Sequence, residues 1–324
     1  MAEVTDSDIE AADELLKLQH DEIDELQTVT LDDWMDPVQR TIPNFQGQCG
    51  LQMTISNEDI LSPISLFNLF VTDDMIENVI LETNSYASKF YSKTLHENPR
   101  EWYFLTSREF RTWLGLAAFN SLHPYPRVSN YWSTEYCFEM RQIPATMSLR
   151  RFEQIKRFLH LSSVDTATDP LAKFRPWTDG LLYNCKRVYY PSRHSSIDEM
   201  DISFQGRCRY KSRIKYKRAG DGFLVYALCD ALNGYTYSFQ FSFDTTIQKI
   251  QPQEGKVANA VYNLVSQLKA KWHIIVTDNL YTSVRLAENL LKDEQLFIGT
   301  CRPNRGFPAS IFMKNQRQKL NRKE

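Results

Sequence analysis

The sequence predicts an α/β protein in which a mixed β-sheet core follows an all-helical region. Two observations support this prediction. Between about residues 60 and 165, apolar residues recur at three- and four-residue spacing, as they do along one face of an α-helix. After about Tyr183 the spacing changes, and short β-rich runs alternate with two helix-like segments. We therefore expect helices first and a sheet-based core after them.

Helices are expected in three places before the sheet. Pro63 suits the start of a helix, and the apolar residues that follow it are spaced as a helical stripe. Another helix is predicted from about Arg108 to Leu122, just before a turn-prone His-Pro-Tyr-Pro sequence. A further helix is predicted from Leu149 to about Leu161, with Ser148 as its N-cap. The acidic and polar residues 1–55 are predicted to be a largely disordered tail.

The second region contains the predicted sheet. Its strand segments are Ser195–Phe204, Phe223–Asp230, Tyr235–Phe243, His273–Thr277 and Leu296–Thr300. An Asn-Gly pair between the second and third segments predicts a β-hairpin. Helices are predicted at Gly255–Ala270 and Ser283–Glu294. A strand and a hairpin, followed by helices that cross over to parallel strands, are typical of a ribonuclease-H-like core. The predicted domains are a tail at 1–55, a helical region at 56–182, the core at 183–310 and a basic tail at 311–324.

Charge is distributed unevenly along the chain. Residues 1–37 carry thirteen acidic side chains and one basic side chain, a net charge of −12, so the remainder carries +10 within a total of −2. An acidic tail on a basic body recurs in nucleic-acid-binding proteins, because DNA phosphates attract the basic body. The alternative is that the tail only keeps the protein solvated.

Composition argues against several classes of protein. Hydrophobic residues make up 42% of the chain and charged residues 24%, as in an ordinary soluble protein. No apolar run approaches the roughly 20 residues of a membrane span, and the N-terminus lacks the features of a signal peptide, so we expect an intracellular protein without a membrane partner. The six cysteines contain no Cys-x-x-Cys pair, so no zinc site is indicated.

Two aspartates occupy positions that suit a metal site. Asp198 lies within the first predicted strand, and Asp278 lies at the C-terminal end of the strand after the first crossover helix. In the predicted order these strands are neighbours about 4.8 Å apart, so the two carboxylates can converge on one ion. Mg²⁺ or Mn²⁺ is the expected metal because both prefer oxygen ligands and support phosphoryl transfer in pairs.

Each aspartate also has a purely structural explanation. Asp278 lies just before a helix and close to Ser283, so it is a candidate N-cap. Asp198 lies near Glu199 and Asp201, and such an acidic cluster on a strand is commonly a solvated face. The spacing of the residues alone leaves both explanations open.

A basic segment follows the first predicted strand. Its alternating members are Arg207, Arg209, Lys211, Arg213, Lys215 and Lys217. An extended chain would place them on one face, where they could contact a DNA backbone. The tyrosines interleaved with basic residues in this part of the chain are Tyr189, Tyr190, Tyr210 and Tyr216. Such rings can stack on unpaired bases, although a solvated strand or loop is the alternative.

Several motifs resemble those of the piggyBac transposase family. Residues 196–200, Ser-Ile-Asp-Glu-Met, and the following Phe204-Gln-Gly-Arg207 are similar to the family's motif around its first catalytic aspartate. Residues 277–283, Thr-Asp-Asn-Leu-Tyr-Thr-Ser, are similar to the motif around the second, and Gly-Thr-Cys-Arg-Pro-Asn-Arg at 299–305 continues the match. Upstream, the similar segments are Glu82–Ala87, Asn130–Ser133 and Arg151–His160. The resemblance covers roughly residues 60 to 310.

The resemblance implies a DDE transposase core that acts in cut-and-paste DNA transposition in the nucleus. It also implies that Asp198 and Asp278 are the first two of three catalytic, metal-binding aspartates. In the family the third aspartate lies well downstream, and this sequence ends 46 residues after Asp278. We therefore expect a C-terminally incomplete core and a DNA-binding protein that is impaired or inactive in transposition.

Two alternatives remain open. The first is an active transposase that this sequence represents incompletely. The second is a non-catalytic nuclear scaffold whose acidic N-terminus recruits a protein partner. The family resemblance implies a homodimer, and the basic residues near the C-terminus are candidates for a nuclear-import signal.

Overall fold

A computed structural model gives the architecture of the chain. It describes residues 42–54, 56, 62–93, 102–138, 140–163, 169–213, 220–247, 250–251 and 253–302. The predicted acidic tail up to residue 41, the basic tail at 311–324, and Lys215, Tyr216 and Lys217 lie outside the described residues.

The helical region precedes the sheet, as predicted. Its helices are α1 (Pro63–Phe70), α2 (Asp73–Lys93), α3 (Ser107–Leu122), α4 (Gln142–Thr146), α5 (Leu149–Phe158) and α6 (Arg175–Val188). Two 3-10 turns, Val128–Trp132 and Tyr136–Phe138, lie between α3 and α4. The Ser148 hydroxyl accepts a hydrogen bond of 3.3 Å from the backbone N–H of Arg151, which confirms the predicted start of α5.

The apolar stripe that begins at Pro63 belongs to two helices rather than one. The first ends at Phe70, where Val71 adopts a non-helical backbone. The second begins at Asp73 and carries Asp73 and Asp74 in its first turn, where negative charge interacts favourably with the helix dipole. The interruption therefore reflects a new helix start, which the apolar spacing alone does not reveal.

The helices enclose one apolar core. Phe110, Trp113, Phe152 and Ile155 are among the side chains packed together there. Burying side chains of this size stabilises the fold by roughly 1.5–3 kcal/mol each. None of the described helices combines the length and the apolar content that a bilayer span requires.

The sheet follows the helical region. Its strands are β3 (His194–Ser203), β4 (Ser212–Arg213), β5 (Asp221–Asp230), β6 (Thr236–Phe241), β7 (Ile274–Thr277) and β8 (Leu296–Gly299). The crossover helices are α7 (Lys256–Val265) and α8 (Val284–Lys292). Two short strands, β1 (Gly50–Leu51) and β2 (Tyr189–Tyr190), pair separately.

The order of the strands confirms a ribonuclease-H-like core. The strands lie in the order β6, β5, β3, β7 and β8, and the short β4 also pairs with the first two residues of β5. Strand β5 is antiparallel to both β3 and β6, whereas β7 is parallel to β3 and β8 is parallel to β7. Because β3 is central, residues near its middle have the hairpin on one side and the parallel strands on the other.

One face of the sheet is sealed by the crossover helices. Ile197 on β3, Leu228 on β5 and Ile275 on β7 pack against Val261 and Leu264 of α7, and all five are 0–1% exposed. The predicted apolar stripe of this helix therefore forms the inner layer of the core. This packing fixes β3 and β7 side by side.

A charged network joins the helical region to the sheet. Arg175, at the start of α6, pairs with Asp169 at 2.8 Å and with Asp244, after β6, at 2.6 Å. Asp244 is only 3% exposed, so this contact is protected from solvent. An Arg–carboxylate fork of this kind positions two segments with directional bonds.

Candidate nucleic-acid and metal site

The strands that carry Asp198 and Asp278 are neighbours, as predicted. Strands β3 and β7 run parallel, and the last paired residues are Ile197 and Thr277. Asp198 and Asp278 are the next residues on each strand path, and both side chains are exposed. Neighbouring strands lie about 4.8 Å apart, so the two carboxylates share one end of the parallel part of the sheet.

The backbone around Asp278 is held in a tight turn. Its side chain accepts a hydrogen bond of 2.8 Å from the backbone N–H of Leu280, and its carbonyl accepts one of 2.6 Å from the Thr282 hydroxyl. The N-cap of α8 is Ser283, whose hydroxyl accepts from the N–H of Leu286 at 3.2 Å. The explanation of Asp278 as the N-cap of this helix is therefore wrong.

Gly299 allows the end of β8 to pack against this turn. The hydroxyls of Thr277 and Thr282 hydrogen-bond to each other at 2.9 Å. A Cβ atom at position 299 would overlap the Thr282 hydroxyl and press on that of Thr277. Because Thr282 also binds the Asp278 carbonyl, a side chain at position 299 would disturb the Asp278 turn.

Glu199 follows Asp198 on β3, and its side chain lies on the opposite face of the strand. It is half-buried and directly opposite Tyr226 of β5. Burial raises the pKa of Glu199, and the negative charges of Asp198 and Asp278 add to this rise. Burial and the adjacent Glu199 also raise the pKa of Tyr281. A solvated acidic face therefore does not describe Glu199, because strand alternation turns it towards the core.

The sequence contains only a weak signal that Tyr281 lies near Glu199. Tyr281 follows Asp278 by three residues, and its side chain is 2% exposed. Nothing in the sequence pattern indicates that its ring lies near Glu199, because Glu199 lies on β3 whereas Tyr281 follows β7. Strand alternation alone predicts only that the side chains of Glu199 and Asp198 lie on opposite faces of β3.

The donor chemistry at this edge suits a hard cation. Asp198 and Asp278 are exposed carboxylates where the parallel pairing of β3 and β7 ends, and carboxylate oxygens are preferred ligands of Mg²⁺ and Mn²⁺. Within the ranges that the structure describes, no group of three or more His, Cys, Asp or Glu side chains lies close enough together to hold a metal ion. The residues present therefore fit two of the ligands of such a site.

Arg302, which belongs to the motif at residues 299–305, lies next to the Asp278 turn. The Arg302 guanidinium donates two hydrogen bonds to the Asn279 side-chain oxygen, at 2.8 and 3.2 Å. Arg302 is exposed, and Asn279 directly follows Asp278. A positive charge is thus held beside the Asp278 turn.

In its described residues, 207–213, the basic segment does not follow the single extended path on which its spacing would place the charges on one face. The chain turns at Arg209 and Tyr210, and among residues 207–213, the part of the segment that the structure describes, only Ser212 and Arg213 form a strand, β4. Arg207 and Arg209 are exposed, whereas Lys211 pairs with Asp221 at 3.1 Å. The prediction of a single basic face is therefore wrong for residues 207–211. Their contact with DNA stays a prediction.

The structure separates the tyrosines of this part of the chain. Tyr190 is 6% exposed, and its hydroxyl lies 3.2 Å from Nε2 of the buried His273. The Tyr189 hydroxyl donates to the Asp230 carboxylate at 2.7 Å. Tyr190 belongs to the core and Tyr189 is partly buried, whereas Tyr210 alone among the described tyrosines of the set lies in the basic segment.

Comparison with known proteins places this geometry in a family. A profile of DDE-type transposases described as "Transposase IS4" matches residues 62–324. Human PiggyBac transposable element-derived protein 5 is 27% identical over 163 residues, covering 48% of this chain and 30% of that protein. Human PiggyBac transposable element-derived protein 3 is 27% identical over 250 residues, covering 74% of this chain and 40% of that protein.

A solved structure shares the fold. The cryo-electron microscopy structure of the piggyBac transposase synaptic complex with hairpin DNA aligns with a TM-score of 0.69 and 24% identity, over 82% of this chain and 55% of that chain. This chain spans 30–40% of the length of the two curated relatives. The profile match, the curated relatives and the shared fold agree with the motifs around Asp198 and Asp278. The chain therefore belongs to the piggyBac transposable element-derived family of DDE transposases.

Proposed function

We propose that this chain is a DNA-binding protein of the nucleus, and that the 324-residue polypeptide is impaired or inactive in DNA transposition. The observation that carries the proposal is that Asp198 and Asp278 directly follow Ile197 and Thr277, the last paired residues of the parallel strands β3 and β7, in a member of a DDE transposase family. A related piggyBac transposase is known in a complex with hairpin DNA, which supports DNA as the ligand.

Charge around the carboxylate pair supports contact with a DNA backbone. Arg302 lies beside the Asp278 turn, and Arg207 and Arg209 are exposed beyond the end of β3. Apart from its acidic first 37 residues, the chain carries a net charge of +10. Phosphate attraction supplies most of the sequence-independent affinity for DNA, so these exposed arginines would position a strand across the site.

The proposed impairment follows from the number of ligands. Asp198 and Asp278 would hold Mg²⁺ or Mn²⁺, and the metal would neutralise charge on the phosphodiester when bound. The family resemblance implies a third aspartate, and among the described residues no third carboxylate forms a metal-holding group with Asp198 and Asp278. Two carboxylates hold such an ion less tightly than three and orient it less well, so we expect DNA cleavage by this polypeptide to fall by orders of magnitude.

An active transposase is the second candidate. The observation that favours it is the length of the relatives, since this chain spans only 30–40% of the curated proteins that it matches. In that case the remaining ligand would come from residues beyond the present sequence. A protein-interaction scaffold is the third candidate, and an absence of DNA binding would favour it.

DNA binding is tested by the salt dependence of affinity. We expect the Arg207→Ala/Arg209→Ala variant to bind duplex DNA more weakly and to lower the slope of log affinity against log salt by about 2, because each lost phosphate contact removes about 0.9. Arg127→Ala/Arg150→Ala is the matched control, since it removes the same charge from exposed positions of the helical region. Equal slopes in both variants would contradict the proposed contact.

The metal site is tested separately by calorimetry with Mn²⁺. Asp278→Asn should weaken Mn²⁺ binding, whereas Glu288→Gln, an exposed carboxylate on α8, should not. A plasmid-nicking assay with Mn²⁺ then distinguishes the first two candidates. Nicking that the Asp278→Asn variant loses would establish an active enzyme and overturn the proposed impairment.

A further inference from the structure

The face of the sheet that carries Asp198 continues beyond it as an exposed apolar surface. Strand β7 pairs with β3 only as far as Ile197, so the rest of β3 extends past it together with β5. Alternate residues Met200 and Ile202 share the face of Asp198 and are 37% and 42% exposed. Phe204 follows them and is 36% exposed. A contiguous exposed apolar patch often marks a binding site for a ligand or partner.

Aromatic rings form a continuous row at the end of this surface. We call Phe204, Phe223, Phe243 and Tyr210 the aromatic row. The centroids of Phe204 and Phe223 are 5.0 Å apart, and those of Phe223 and Phe243 are 5.5 Å apart. Tyr210 lies parallel to Phe243 at 4.9 Å, and the Arg209 guanidinium covers the Tyr210 ring at 4.6 Å. Each ring is partly exposed, and none belongs to either buried core.

Backbone features hold the row in place. A side chain at Gly206 would overlap the Phe204 ring, so glycine allows the ring to fold over the chain. The backbone N–H of Phe204 donates to the Asp221 carbonyl at 3.1 Å, and the Asp221 side chain pairs with Lys211. The turn that replaces the expected basic strand therefore fixes the rings and Arg209 together.

We propose that the aromatic row is a stacking platform for unpaired DNA bases whose backbone passes Asp198. The inference rests on the proposed DNA-binding function and names the ligand at this surface. From Asp198 to Phe204 the chain advances about 20 Å, which leaves room for several nucleotides of an extended strand. Aromatic rings stack on any base, and exposed arginines attract the phosphates between them.

Charge complementarity favours a nucleic acid over a protein at this surface. The row ends in the Arg209 guanidinium, and Arg207 is exposed next to it, so a ligand must satisfy both flat apolar rings and positive charge. A single strand of DNA presents both complementary features. An apolar peptide presents only the first feature, and the experiment separates DNA from a second copy of the chain.

The platform is tested by comparing two single-stranded probes of equal length and charge. One is a short oligothymidylate, and the other is the same strand with abasic sugars. We expect Phe204→Ala to weaken binding of the thymidylate by roughly tenfold and to leave binding of the abasic strand unchanged. Phe90→Ala is the matched control, because Phe90 lies on α2 with the same 36% exposure.

A measurement on the unaltered protein guards against misfolding of the variant. A strand that carries 2-aminopurine should lose fluorescence when the protein binds it, since stacking quenches this base. Absence of quenching in the bound strand would overturn the platform. Phe204→Leu keeps an apolar side chain without a π face, so thymidylate binding as tight as that of the unaltered protein would also overturn it.

The results distinguish failure of the platform from failure of the proposed function. If duplex DNA binds with the expected salt dependence while thymidylate and abasic strands bind equally, only the platform is overturned. If neither duplex nor single strands bind, both inferences fall. If Phe204→Ala abolishes self-association in sedimentation velocity and leaves thymidylate binding unchanged, a second copy of the chain occupies the surface and the platform is overturned.

Discussion

Acid should destabilise this protein through His273, a histidine held neutral in the core. Its side chain is 0% exposed, with Nδ1 3.0 Å from the Ser192 carbonyl and Nε2 3.2 Å from the Tyr190 hydroxyl. The ring also meets the edge of Phe45. The Tyr190 hydroxyl accepts from the Ala270 N–H at 2.6 Å, which leaves its own proton for Nε2. This arrangement suits the neutral ring protonated on Nδ1.

The magnitude follows from the pKa of this histidine. Burial lowers the pKa of His273 to about 4, from 6.5 in an exposed chain. Between these values the unfolded chain binds a proton that the folded chain does not, so stability is complete above pH 6.5 and falls as pH drops towards 4. The fall in pKa from 6.5 to about 4 corresponds to a loss of about 3 kcal/mol in the free energy of unfolding at pH 4.

The assay is urea unfolding at a series of pH values between 7 and 4. We expect the free energy of unfolding of the unaltered protein to fall by about 3 kcal/mol more than that of His273→Gln over this range. His123→Gln, an exposed position at the end of α3, should keep the full pH dependence. The same pH dependence in the unaltered protein and His273→Gln would refute the assignment.

Further substitutions test packing and the site. Arg151→Lys should cost about 2 kcal/mol or more in urea unfolding, because the 4% exposed Arg151 forms a two-pronged pair with Glu109 that lysine cannot reproduce. Ser283→Ala should cost about 1 kcal/mol by removing the N-cap of α8, and an unchanged midpoint would contradict that role. Gly299→Ala should displace the Asp278 turn and weaken Mn²⁺ binding in calorimetry more than it lowers stability. Binding equal to that of the unaltered protein would show that the turn tolerates a methyl group.

Much of the fold could be predicted because its signals are local. The period of the apolar residues separated helices from strands, and Ser148 marked the start of α5 through a bond to a residue three positions away. The order of a strand, a hairpin and crossover helices also predicted that β3 and β7 lie side by side. Asp198 and Asp278 could therefore be placed on neighbouring strands from the sequence alone.

The local signal failed where distant side chains decide the backbone. The alternation of basic residues from Arg207 predicted one extended face, yet the chain turns at Arg209 and Tyr210. Tyr210 stacks on Phe243, which is 33 positions away in the sequence, and Lys211 pairs with Asp221 of β5. The spacing of charges carries no information about these partners.

The sequence by itself determined which residues can form helices and strands, the order of those elements and the position of Asp198 and Asp278 on neighbouring strands. The tertiary structure alone decided that Glu199 is drawn into the core beside Tyr281, that Arg302 stands next to the Asp278 turn, and that His273 is sealed from water. The physical reason is the range of the interactions. Periodicity and capping act within a few residues, whereas burial and charge proximity depend on elements that meet only when the sheet and its helices have assembled.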